Sequence, residues 1–113
     1  MNQRMTLNEL SVPLRALRLL TVDFGHLPAP TVHLSTVYPD RLELSFHDNL
    51  AGFEAWREAL GIAPDAVAHD TQGDGRTRVL KVTTDLAGAV LELIGFAQVT
   101  GPHNLVIDEG VAA

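Results

Sequence analysis

Five histidines and a scatter of carboxylates are the residues of this chain with chemistry to offer. Imidazole titrates near neutral pH and ligates metals. His33 and His47 sit in two stretches that alternate in character, Thr31 to Tyr38 and Arg41 to His47. In a hairpin with a three-residue loop, Leu34 would face Phe46 and His33 would fall beside His47. Two imidazoles on neighbouring strands could start a metal site, with Glu43 or Asp48 as a third ligand. The plainer reading is two solvated polar residues on an open sheet face, because no spacing fixes that third ligand.

His69 is expected on the apolar side of a second hairpin, between Val67 and Leu80, where a buried imidazole is more often structural than catalytic. Asp70 beside it makes no dyad, since successive strand residues point to opposite faces. Glu92 interrupts the apolar run Val90 to Phe96, so its carboxylate must be paired or face water. An exposed strand face is the favoured outcome. His69 and Glu92 are the polar groups to expect in any ligand pocket on the sheet. Glu54 and Glu58, one turn apart with Arg57 nearby, read as a solvated helix face, and His26 and His103 as surface residues.

Sharper chemical signatures are missing. The sequence has no Gly-x-Ser-x-Gly elbow, no Ser-x-x-Lys pair, no phosphate-binding glycine loop and no EF-hand spacing. It has no cysteine, which excludes disulfides, thiolate metal sites and a cysteine nucleophile. No cofactor is implied.

Those residues must be positioned by a small frame. The 113 residues fit a single domain over 1–99 followed by a tail over 100–113. Leu7, Leu10, Leu14, Leu17 and Phe24 recur at helical spacing, with Thr6 and Glu9 as a capping box. Pro13 means that the helix begins near Val12 or follows a short turn at 6–11. Leu10, Leu14, Leu17 and Phe24 also fit a heptad seam, so they are the interface candidates on this helix. Leu50, Phe53, Trp56 and Leu60 mark a second helix, capped by Asp48 or Asn49 and ended by Gly61. Asp74-Gly75 suits a type I′ turn that sets His69 opposite Leu80. Residues 90–96 fit either a buried strand or a helix; Gly88 and Gly95 weaken a helix, so a strand after a turn at 85–88 is preferred, and Leu105-Val106-Ile107 reads as a short strand in the tail.

The run Val37-Tyr38-Pro39-Asp40-Arg41-Leu42-Glu43-Leu44, followed by Phe53-Glu54-Ala55-Trp56-Arg57-Glu58-Ala59-Leu60-Gly61, resembles small uncharacterised actinobacterial α+β proteins. Their pattern is a hairpin, an F-x-x-W helix ending in Leu-Gly, and a second hairpin. The resemblance covers residues 28–98 and implies a fold but no activity.

The expected fold is therefore α+β, an antiparallel sheet of four to five strands with two helices packed on one face. Eight basic against fourteen acidic residues argue against a nucleic-acid partner. No apolar stretch suits a membrane span. The lack of cysteine and of a leader-like start points to the cytoplasm. A competent core without a chemical constellation favours a non-catalytic interaction or regulatory accessory module that binds a protein or self-associates. The alternative is a small enzyme or ligand-binding domain using a pocket near His69 and Glu92.

Overall fold

The computed structural model describes residues 5–99. Helix α1 spans Ser11–Phe24 and α2 spans Leu50–Ala59. The strands are β1 (Thr31–Leu34), β2 (Arg41–His47), β3 (Ala68–Gln72), β4 (Thr77–Leu86) and β5 (Ala89–Gln98). They form one five-stranded sheet in the order β1-β2-β5-β4-β3. The fold is α+β, and both helices pack on β2 and β5.

Pro13 shapes the start of α1. A 3-10 turn at Leu7–Leu10 precedes the helix, which puts the proline in the first turn, where its missing N–H costs nothing. The capping box does not form. Thr6 makes no side-chain cap, and only its backbone carbonyl accepts from Glu9 N. The buried line of α1 is Pro13, Ala16 and Leu20. Helix α2 behaves as its pattern requires. Asn49 caps it by accepting from Gly52 N at 3.0 Å, and Gly61 follows at φ +73°. Phe53 and Trp56 are buried. Trp56 Nε1 donates to Pro28 O at 2.7 Å, tying α2 to the connector after α1.

The sheet is mostly but not wholly antiparallel, since β2 and β5 run parallel. Strand β5 carries apolar residues on both faces, and such a strand belongs at the centre of a sheet. Leu91 and Leu93 join the core, while Val90, Ile94 and Phe96 face the other way. Tight turns join β3 to β4 and β4 to β5. Asp74 and Gly75 both have positive φ and Arg76 N bonds Gly73 O, as a type I′ turn requires. Ala87 and Gly88 turn β4 into β5 the same way. Gly95 lies under α2, where a Cβ would stand 3.1 Å from Leu50 and 3.2 Å from Phe53.

The first hairpin departs from expectation. Leu34 pairs with Leu42, not Phe46, and His33 pairs with Glu43. Ser35 ends the strand early, because its hydroxyl accepts from Val37 N at 3.0 Å and competes with the ladder. The shift is by an even number of residues, so Leu34 keeps the core face. The expected tail strand at residues 105–107 lies outside the described residues.

Candidate functional site

The sheet has two unlike faces. One is covered by α1 and α2. On the other, no helix among the described residues packs. The alternation of the strands puts a defined set of side chains on this bare face, and the pairing arranges them in rows. One row is Thr31, Ser45, Ile94, Lys81 and Ala68. On one side of it lie His47, Phe96, Val79 and Asp70. On the other lie His33, Glu43, Glu92 and Thr83, and beyond them Arg41, Val90 and Asp85.

Burial on this face is deep for an uncovered surface. Ser45 is 2% exposed, Glu92 6% and Ile94 7%. Long neighbours stand beside them, and Lys and Arg can lay their aliphatic stems along a surface while the charged head stays wet. Arg41 Nη1 approaches Glu92 Oε1 to 3.7 Å and Lys81 Nζ approaches Oε2 to 3.8 Å. These are ion-pair distances, longer than hydrogen bonds. Arg41 also stacks over the Tyr38 ring, 4.6 Å from its centroid. His47 stacks on Phe96 with ring centroids 4.8 Å apart. Ser45 Oγ is buried and has no hydrogen-bond partner among the described residues.

The expected site residues are dispersed. His33 Nδ1 lies 3.3 Å from Glu43 Oε2, and His47 stands two rows away against Phe96. The two imidazoles are not neighbours, because the early strand end at Ser35 changed the register. Among the described residues, no three His, Asp or Glu side chains gather as a metal-binding group. His69 pairs with Leu80 as expected, but it is exposed rather than buried. The helices sit over β2 and β5, and β3 is the outermost strand beyond their cover. Glu92 belongs to the opposite face, so His69 and Glu92 do not line one pocket. Glu92 is also buried and paired, where an exposed strand face was the favoured expectation.

No family model matches this chain, and no curated protein or solved structure matches it either. The site must be judged on its own geometry.

Two other regions offer less. An apolar recess of about 260 Å³ opens between α1, the connector at 25–30 and β1–β2. Its polar side-chain groups are already engaged: Trp56 Nε1 serves Pro28 O, and Thr21 Oγ1 donates to Arg18 O at 2.7 Å. A recess whose side chains offer no free polar group has little to orient a substrate with. On α1, Leu17 and Phe24 pack against the core, whereas Leu10 and Leu14 are half-buried. The heptad seam is thus divided between the core and the rim. Arg57 donates to both Glu54 carboxylate oxygens at 3.1 Å from Nε. Those hydrogen bonds hold the Glu54 carboxyl below its ordinary pKa, against the opposing effect of partial desolvation, and hold the guanidinium above its own. This pair braces the end of α2 and is remote from the bare face.

Sequence reasoning missed Ser45, Lys81 and Asp85 as members of one surface. Their alternation within β2 and β4 was readable. What joins them is β5, inserted between those two strands by a parallel pairing that no local signal announces.

Proposed function

We propose that this chain is a non-catalytic protein-interaction module of an accessory or regulatory kind, whose recognition surface is the bare face of the sheet. The observation that carries the reading is the combination on that face of Ile94, Phe96 and Val79 with a buried, unpartnered Ser45 hydroxyl. Apolar side chains ringed by charged ones are the usual composition of a recognition patch. A buried hydroxyl without a partner is costly, and a binding partner that displaces the side chains over it can supply the missing hydrogen bond. The absence of cysteine fits a cytoplasmic setting, and the net charge of −6 fits a protein partner better than a nucleic acid.

Affinity capture from cell extract with three forms of the full chain tests the reading. The parent is compared with Phe96→Glu on the bare face and Val22→Glu on α1, where Val22 is 73% exposed. The expected result is that bound protein, including any second copy of the chain, is lost with Phe96→Glu and kept with Val22→Glu. Loss with Val22→Glu alone, or no bound protein with the parent, contradicts it.

A further inference from the structure

The bare face is close to self-complementary about one axis, and from this we infer that its occupant is a second copy of this chain, packed face to face about a two-fold axis along β5. The inference rests on the interaction-module reading and names the partner for the same surface. Strands β2 and β4 flank β5 on either side. A two-fold axis lying along β5, in the plane between the two sheets, brings β2 of one copy over β4 of the other and leaves every row in place.

The rows then match. Arg41 and Asp85 occupy the same row on opposite sides of Val90, so each Arg41 meets the other copy's Asp85, twice per dimer. Ser45 and Lys81 occupy the same row on opposite sides of Ile94. Once the side chains over it part, each unpartnered Ser45 hydroxyl can accept from the ammonium of the other copy. Ile94 and Phe96 meet their own counterparts on the axis and supply the apolar centre. Sheets pack about 10 Å apart, a gap that arginine and lysine side chains span. One juxtaposition is adverse, because Glu92 also meets its own copy on the axis. Each Glu92 carries Arg41 and Lys81 within 4 Å, so the two carboxylates enter the interface already neutralised. The other in-plane axis, across the strands, sets Lys81 on Lys81 and Phe96 on Glu92, and fits worse.

Size decides how tight the dimer is. Under this axis β1 lies over β3 and the two share only the row of Thr31 and Ala68, so β2, β5 and β4 make the contact. Three strands at about 4.8 Å spacing and seven residues of β2 at about 3.3 Å give a footprint of roughly 330 Å² on each copy. The sum of both sides is smaller than most specific interfaces bury, so association is weak and concentration-dependent.

The test is charge reversal with rescue in trans, read by sedimentation velocity across a dilution series of the full chain. Asp85 is exposed, so Asp85→Arg should fold, and circular dichroism checks both variants. The parent is expected to dimerise on concentration. Arg41→Asp and Asp85→Arg should each weaken the dimer by about tenfold or more, because each faces like charges twice. An equimolar mixture of the two single variants should associate again, since each then meets its opposite on both sides. The Arg41→Asp/Asp85→Arg double variant should also recover. If Arg41→Asp fails to fold, Asp85→Arg against the double variant still decides. A parent that stays monomeric at all concentrations overturns the inference. A parent dimer unmoved by either reversal, or single variants that do not rescue each other, also overturns it. Partner capture that still depends on Phe96 would in that case leave the interaction-module reading standing.

Discussion

On the helix side of β5, Leu91 and Leu93 are wholly buried beneath α1 and α2. One residue along, Glu92 and Ile94 are almost as inaccessible on a side that no described helix covers. The two sides reach similar exposure by different means. The first is closed by a second layer of packed side chains, with Phe53 resting on Gly95 and Trp56 edge-on to Phe24 at 6.0 Å. On the second, Arg41 and Lys81 reach over to Glu92, and their side chains stay partly in water. A packed layer resists removal, because every atom lost forfeits dispersion contacts and leaves a cavity. A cover of long side chains can move aside for another surface. Low exposure alone does not tell a core from a recognition surface; what supplies the cover does.

The contrast can be broken or sharpened by substitution. The largest effect is expected on the covered side, where Trp56→Ala should cost about 3–5 kcal/mol in chemical denaturation, from the cavity and the lost bond to Pro28 O. A loss under about 1 kcal/mol would show that the helices are loosely seated. Next is Gly95→Val, whose Cβ would press on Leu50 and Phe53 and should cost about 1–3 kcal/mol. On the bare face the sign changes. Ser45→Ala removes a buried hydroxyl without a partner and should stabilise the dilute chain by about 1 kcal/mol. The same variant should weaken self-association, because the acceptor for the second copy's Lys81 is gone. Destabilisation of the dilute chain would mean that the hydroxyl already has a partner. The smallest effect belongs to neither face. Glu54→Gln removes the carboxylate that Arg57 holds below its ordinary pKa. Such a group contributes stability above the unfolded carboxyl's pKa and loses it as pH falls through the folded one. Thermal melts should therefore show a small deficit at neutral pH that vanishes on acidification.

Much of the covered side was legible in the sequence, and little of the bare side was. The stripe Leu50, Phe53, Trp56 and Leu60, the stop at Gly61, and the Asp74-Gly75 turn that pairs His69 with Leu80 are local, and all appear in the fold. The choice of strand over helix at 90–96 holds, and the signal for it was that Gly88 and Gly95 weaken a helix. What failed depended on distant partners. The pairing of β2 with β5 joins residues about fifty apart, and nothing within either strand marks it as parallel. Without it, Arg41, Ser45, Lys81 and Asp85 belong to two hairpins rather than one surface. His69 was placed on the correct face, but its exposure follows from how far the helices reach across the sheet. The line of α1 that packs was also missed, because Pro13 and Ala16 look less apolar than the leucines beside them.

What stands at the centre is that the bare face, and not α1, is where the chain meets a second copy of itself. Amide chemical shifts of the full-length protein, followed by NMR from dilute to concentrated solution, test it most directly. Movement is expected at Val79, Lys81, Ile94 and Phe96 on concentration, with Leu19 and Val22 on α1 unmoved. Shifts confined to α1, or none at any concentration, would contradict it.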